Sequence, residues 1–191
     1  MEDVTPHNMP RNTGWIEVIS GCMFSGKTEE LIRRLRRAQI AKQRVIIFKP
    51  RVDNRYSADR IVSHNTQFLD SVVIDKPLEI LKLTHEAQVI GIDEGQFFSD
   101  DLVAVCEELA NKGNRVIVAG LDQDYRGHPF GPIPHLLAVA EYITKTLAIC
   151  MVCGNPADRT QRITNQHELV VVGAQNVYEA RCRKCFVPPK D

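Results

Sequence analysis

The chain lacks an excess charge of either sign: its 191 residues carry 24 basic and 24 acidic side chains. A nucleic-acid coat or a polybasic membrane binder needs a cationic surface, so this balance argues against both, local patches aside. No apolar run approaches the roughly 20 residues that a membrane span requires. The opening stretch "MEDVTPHNMPRN" has no apolar core and is acidic near its start, so it does not read as a secretory signal. Residues 1–13 read instead as a disordered lead-in. Internal repeats and low-complexity tracts are missing, and the six histidines show no metal-ligand spacing. At 43% hydrophobic residues, the chain can bury a core without disulfide staples. The expected compartment is the cytoplasm, where thiols stay reduced and closely spaced cysteines point to a metal before a disulfide.

The length suits one α/β domain with a small appendage. "GWIEVIS" (14–20) is short, β-branched and bounded by glycine, which predicts a strand. "RVIIF" (44–48), "QVIGI" (88–92) and "RVIVA" (115–119) are nearly continuous apolar runs, as expected of strands covered on both faces in a parallel sheet. A helix is predicted over 27–40, with Leu31, Leu35 and Ala38 on one stripe and Ile32 beside it. Its arginines, Arg33, Arg34, Arg36 and Arg37, fall mostly on the other side, which reads as a solvated face ahead of the alternative, a nucleic-acid patch. A second helix is predicted over 100–111, ended by Lys112-Gly113-Asn114, and a third near 133–140, with a strand near 142–147. Strand and helix alternate with single crossovers, which gives a doubly wound α/β sheet. After Leu147 the texture changes: residues 148–191 hold four of the six cysteines and few helical stripes. The division expected is a lead-in at 1–13, an α/β domain at 14–147 and a small unit at 148–191.

Three motifs carry chemistry. "GCMFSGKT" (21–28) meets the phosphate-loop pattern G-x-x-x-x-G-K-[ST] between a predicted strand and a predicted helix. Gly21 and Gly26 let the backbone wrap phosphates, and successive amides with the helix N-terminus form an anion nest. Lys27 reaches the β- and γ-phosphates and the Thr28 hydroxyl is suited to Mg²⁺. The filling of the loop, Cys22, Met23, Phe24 and Ser25, is unusually apolar. "VIGIDEGQFF" (89–98) puts Asp93 and Glu94 at the carboxyl end of an apolar strand, where open α/β sheets bind ligands. Asp93 reads as the carboxylate that positions Mg²⁺ and Glu94 as a general base. That pair alone fits either a motor that polarises water or a kinase that takes a proton from a substrate hydroxyl. Asp122, ending "VAGLD", has equally a structural and a functional reading. Cys150-x-x-Cys153 and Cys182-x-x-Cys185 are two knuckles that can close a tetrahedral zinc site with no open position, hence structural. Redox pairs are the competing reading. Cys106 reads as a buried helix residue.

Together, "GCMFSGKTEELIRRLRR", "DNRYS", "VIGIDEGQFF", "PFGPIPHL" and "YEARCRKC" resemble the type II, cytosolic-type thymidine kinases, in the family's order from about Gly14 to Cys185. The resemblance implies a P-loop (RecA-like) parallel sheet flanked by helices, with a small C-terminal zinc-binding lasso domain. It implies transfer of the ATP γ-phosphate to the 5′-hydroxyl of thymidine with Mg²⁺, a structural Zn²⁺, a homotetramer and feedback inhibition by thymidine triphosphate. By position it makes Glu94 the base, Gly21 to Thr28 the phosphate cradle, and Thr28 and Asp93 the Mg²⁺ contacts. It sets Asp53 and Arg55 near the transferring phosphate. Met23, Phe97, Leu121 and Tyr125 match walls of the thymine pocket, and Thr160, Val172 and Tyr178 match the lasso over the base. The polar stretch 158–178 is expected to be mobile without ligand. Tyr125 stands where some members have Phe, which adds a hydroxyl bearing on analogue tolerance. The short stretch after Cys185 lacks the regulatory tail of vertebrate members and favours a microbial type. A nucleic-acid-stimulated P-loop motor and a non-enzymatic zinc-finger adaptor are the rival readings. The first calls for a basic surface, and the second leaves Glu94 and "DNRYS" without a role.

Overall fold

The computed structural model describes residues 13–51, 60–62, 68–164 and 177–188. Asp53, Arg55, Val172 and the centre of the 158–178 stretch lie outside the described residues. In chain order the elements are β1 (Trp15–Ser20), α1 (Lys27–Ile40), β2 (Val45–Pro50), β3 (Arg60–Val62), β4 (Phe68–Asp70), β5 (Val72–Ile74), α2 (Leu78–Leu83) and β6 (Val89–Ile92). A 3₁₀ turn at Gly95–Phe97 leads to α3 (Asp101–Asn111), β7 (Arg115–Gly120), α4 (Ile133–Val139) and β8 (Tyr142–Lys145). Four short strands close the chain: β9 (Ala148–Ile149), β10 (Pro156–Ala157), β11 (Arg159–Arg162) and β12 (Tyr178–Arg181).

Six strands form one sheet in the order β5-β2-β6-β7-β1-β8. Every neighbouring pair in it is parallel. A parallel pair needs a crossover, and the crossovers place helices on both faces. On one face Ile16, Val18, Ile90, Ile92, Val116 and Val118 pack against Leu102, Val105 and Leu109 of α3 and Leu136 of α4. On the other, Ile19, Ile47, Val89, Ile117 and Ala119 pack against Leu31, Ile32, Leu35 and Ala38 of α1. Strands so enclosed have no solvated side, which is why their sequences run apolar instead of alternating. Fully burying a side chain such as Leu35 contributes roughly 1.5–3 kcal/mol, and it does so here at the layer that carries the phosphate loop.

The predicted helix over 27–40 is α1. Glu29 and Glu30 occupy its first turn and Arg37 its last, both favourable to the helix dipole. It ends as Lys42 turns left-handed (φ 60°), with the Lys42 amide donating to Gln39 and the Gln43 amide to Ala38. Arg33, Arg36 and Arg37 are exposed, as expected. Arg34 departs from that reading. It reaches across the layer to Glu17 (2.7 Å) and Thr144 (2.8 Å) while also holding Glu30 (2.7 Å). Glu17 is buried on β1 and is shared with Arg115 (2.5 Å) and Trp15 Nε1 (2.8 Å). Burial pushes its carboxyl up, but Arg115, Trp15 and Arg34 outweigh this and hold it below its ordinary value.

The strand predicted near 142–147 stops at Lys145. The sequence reading has no counterpart for β5, α2, the antiparallel β3–β4 pair or the short strands β9 to β12.

Candidate active site

The carboxyl ends of β1, β2, β6 and β7 converge on one edge of the sheet, and the connections that leave them hold the polar residues. The phosphate loop joins β1 to α1. Gly26 is left-handed (φ 83°), a conformation open to glycine at no steric cost. Gly21 lies so close to its surroundings that a Cβ would come within 2.3 Å of the Thr146 carbonyl oxygen and 2.9 Å of Ser25 Oγ. The two fixed glycines of the motif are therefore demanded by backbone shape. Phe24 is also left-handed (φ 65°), a conformation rare outside glycine. Inside the loop, the Cys22 carbonyl accepts from both Lys27 Nζ (2.8 Å) and Ser25 Oγ (2.8 Å). The loop is thus curled around its own lysine.

Thr28, in the first turn of α1, donates its hydroxyl to the Asp93 carboxylate at 3.3 and 3.4 Å. Asp93 follows β6, whose register on β2 continues as the Asp93 amide donates to the Phe48 carbonyl (2.9 Å). One Asp93 oxygen also accepts the Glu94 amide at 3.0 Å. This pairs a hydroxyl with a carboxylate across the two motifs, the donor set that suits a hard divalent cation such as Mg²⁺.

Glu94 is left-handed (φ 52°, ψ 39°) and caps the 3₁₀ turn. A non-glycine residue there costs of order 1–3 kcal/mol and persists only where its surroundings hold it. Gln96, 2% exposed, is the holder: its Nε2 donates to Glu94 Oε2 at 2.5 Å and its Oε1 accepts the Leu121 amide at 2.9 Å. The two adjacent carboxylates thus bond different side chains, Glu94 that of Gln96 and Asp93 that of Thr28.

The sequence-predicted nucleoside residues that the structure describes make the following contacts. Met23 donates its amide to Thr160 Oγ1 at 3.0 Å, which joins the phosphate loop to β11. Phe97 meets the Phe130 ring edge-on at 5.8 Å, and Leu121 is tied to Glu94 through Gln96. Tyr125 and Tyr178 are joined by Arg162. Its guanidinium lies 3.6 Å over the Tyr125 ring and 5.2 Å from that of Tyr178, and it donates to the Tyr178 hydroxyl at 2.6 Å. The Tyr125 hydroxyl accepts from Arg126 at 3.0 Å. Asp122 forms an ion pair with Lys145 at 2.7 Å, so its structural role is visible.

Sequence reasoning missed Gln96, Arg162 and Lys49. Gln96 stood inside a quoted motif without a role. Arg162 is two residues from Thr160 on the same strand, hence on the same inward face, and both are buried. Lys49 is a buried cation at the carboxyl end of β2, one position beyond Phe48 and level with Asp93 on the neighbouring strand. A lysine directly after "RVIIF" is the signal that would have found it.

The four knuckle cysteines gather as expected. Their sulfurs all lie within 4.8 Å of one another, and Cys153 and Cys182 are 3.6 Å apart. None is in a disulfide. Four thiolates about 2.3 Å from one zinc ion stand roughly 3.8 Å apart in a tetrahedron, so the cluster fits that ion. Burial pushes the Cys150 thiol up, yet the backbone amides of Cys182, Val152 and Cys153 directed at its sulfur bring it down to about 6. Amides so directed favour a thiolate, the form that binds metal. Cys106 is buried in α3, and burial pushes its thiol far up. Among the described residues no helix is long and apolar enough to cross a membrane.

A family model for thymidine kinases matches residues 14–186. The thymidine kinase of Rhodothermus sp. (strain ITI 518) is 60% identical over 179 residues, covering 94% of this chain and 84% of that protein. The phosphate loop, the Thr28–Asp93 pair, the braced Glu94 and the four-cysteine cluster all lie inside the matched span. On these grounds the chain, a nucleoside kinase, belongs to the thymidine kinase family.

Proposed function

We propose that this protein transfers the γ-phosphoryl group of ATP to the 5′-hydroxyl of thymidine, with Mg²⁺ on the phosphates and Glu94 as general base. The observation that carries the reading is Glu94 itself, a strained carboxylate braced by Gln96 beside the Thr28–Asp93 pair. Phosphoryl transfer asks the protein mainly for positioning and charge stabilisation. Lys27 and the amides of residues 21–28 hold the donor phosphates. Thr28 and Asp93 would hold Mg²⁺, which would supply charge neutralisation to the phosphates. Glu94 accepts the proton of the 5′-hydroxyl as the hydroxyl oxygen attacks the γ-phosphorus and the bond from that phosphorus to the departing ADP breaks. Asp53 and Arg55 act near the transferring group, where a guanidinium offsets developing negative charge.

Met23, Phe97, Leu121 and Tyr125 wall the thymine pocket, and Thr160, Val172 and Tyr178 close it. Cys150, Cys153, Cys182 and Cys185 hold a structural Zn²⁺, which in a small segment with little core supplies folding energy. The matching divisions are a P-loop kinase domain at 14–147 and a zinc-bearing lasso at 148–191. Thymidine as acceptor is supported by the name of the Rhodothermus relative. Homotetramer assembly, feedback inhibition by thymidine triphosphate and a cytoplasmic location rest on the resemblance of the motifs to type II members.

The test is Glu94→Gln. Losing a general base costs about 10²–10⁴-fold in rate, so the variant binds thymidine with its affinity intact and loses turnover by that factor. Near-normal turnover would refute the assignment.

A further inference from the structure

The phosphate loop is fastened to the cysteine-bearing segment by a residue that the loop's motif leaves free. The second position of G-x-x-x-x-G-K-[ST] is unconstrained, and here it is Cys22, 3% exposed. Its side chain belongs to one apolar cluster with Ala148, Cys150, Ala157, Ala180 and Cys182, against which Cys185 is packed. Its thiol donates to the Ala157 carbonyl at 3.3 Å. Its own carbonyl is the acceptor that holds Lys27 Nζ at 2.8 Å. One residue thus faces the four-cysteine site with its side chain and the phosphate-binding lysine with its backbone.

The connection to the knuckles is short. Cys150 follows β9, and Ala157 ends β10, paired in register with Ala148 of β9. Cys182 follows β12, and the Met151 amide donates to Ala180 of that strand at 3.0 Å. An ion bound by the four sulfurs therefore ties together the strands that present the Ala157 carbonyl to Cys22. The neighbouring Met23–Thr160 bond runs from the loop to the same segment.

We propose that Cys22 is a positioning residue that couples the phosphate loop to the four-cysteine site, so that zinc in that site tightens binding of the phosphate donor through Lys27. The proposal rests on reading the cysteines as a zinc site and residues 21–28 as the donor cradle. A residue that only filled space would alter stability. A positioning residue alters donor affinity while the fold and the bound metal persist. Coupling between distinct sites is typically 5–150-fold in affinity.

The experiment uses the full chain, with zinc content measured alongside calorimetric binding of the non-hydrolysable imido analogue of ATP (with Mg²⁺) and of thymidine. Extraction of zinc from the wild type by a chelator, and Cys22→Ala with its zinc retained, each weaken the analogue about fivefold or more. Cys22→Ala leaves thymidine affinity within about twofold, and its steady-state kinetics show a raised KM for ATP ahead of any loss in kcat. Cys22→Ser, whose hydroxyl can donate to the Ala157 carbonyl, restores analogue affinity to within about twofold of the wild type. Extracting zinc from Cys22→Ala adds less than about twofold, because the connection is already cut. Unchanged analogue affinity on zinc extraction, or full additivity of the two perturbations, overturns the proposal. Should Cys22→Ala lose its cooperative unfolding transition, the wild-type extraction and Cys22→Ser decide the matter. A protein that neither contains nor takes up zinc overturns the metal reading and the coupling with it. A zinc-loaded protein that binds neither analogue nor thymidine overturns the kinase reading instead.

Discussion

Gln96→Leu removes the side chain that braces Glu94 while keeping a similar volume in a buried position. Two hydrogen bonds are lost: Nε2 to Glu94 Oε2 (2.5 Å) and the Leu121 amide to Oε1 (2.9 Å). The first is charge-assisted, and such bonds are worth about 1.5–3 kcal/mol. The second leaves a part-buried amide without that partner, at a cost of about 1–3 kcal/mol. The unpaired amide alone lowers stability by roughly 1–3 kcal/mol. Turnover suffers in its own right. Glu94 sits in a left-handed conformation that depends on its surroundings, so an unbraced carboxylate samples positions from which it cannot reach the acceptor hydroxyl. At about 1.4 kcal/mol per tenfold in rate, the charge-assisted bond alone corresponds to a fall in kcat of about 10- to 100-fold. The assay is a double-mutant cycle in kcat at saturating ATP and thymidine, with thermal unfolding of each protein measured in parallel. Gln96 is argued to act through Glu94, so in a Glu94→Gln background the second substitution changes kcat less than about threefold. If Gln96→Leu depresses kcat by the same factor in both backgrounds, the bracing argument is refuted.

Two further outcomes follow from the same geometry. Met23→Ala raises the KM for thymidine more than that for ATP, by about 1 kcal/mol or fivefold for a lost apolar wall; the reverse order would remove Met23 from the nucleoside pocket. Glu17 is held below its ordinary value of 4.5, so its contribution to stability is present above that value and lost as the pH falls through the lower folded one. Glu17→Gln, which leaves Arg34 and Arg115 without their shared carboxylate, is less stable than the wild type by about 2 kcal/mol or more near neutral pH. The gap narrows in acid below 4.5, and a constant difference in denaturation midpoint across that range would contradict the assignment.

The elements that could be read from the sequence are those whose signals are local. The phosphate loop, α1 and β6 with Asp93 and Glu94 each carry their own motif or periodicity, and the structure has them where expected. The knuckle cysteines gather as their spacing implies, because two residues of separation bring a pair of thiols to one ion. Elements with weak local signals were missed. Val72–Ile74 and Leu78–Leu83 are three and six residues long, too short for a period to register. The third group depends on contacts between distant parts of the chain. Arg34 reads as a solvated helix residue until Glu17 and Thr144 are placed beside it, and the latter is 110 positions away. Cys22 meets Ala157 across 135 residues, and Arg162 of β11 stacks on Tyr125 in the turn after β7. Periodicity says which face a residue occupies but not what the fold brings to meet it.

Transfer of a phosphoryl group onto thymidine is measured directly by following label from γ-labelled ATP with Mg²⁺ present. The wild-type protein is offered a panel of nucleosides, each with and without added DNA or RNA. Label is expected on the 5′-oxygen of thymidine, at a rate indifferent to nucleic acid. Label found only as inorganic phosphate, released faster when nucleic acid is added, would contradict thymidine kinase activity and leave a P-loop motor in its place.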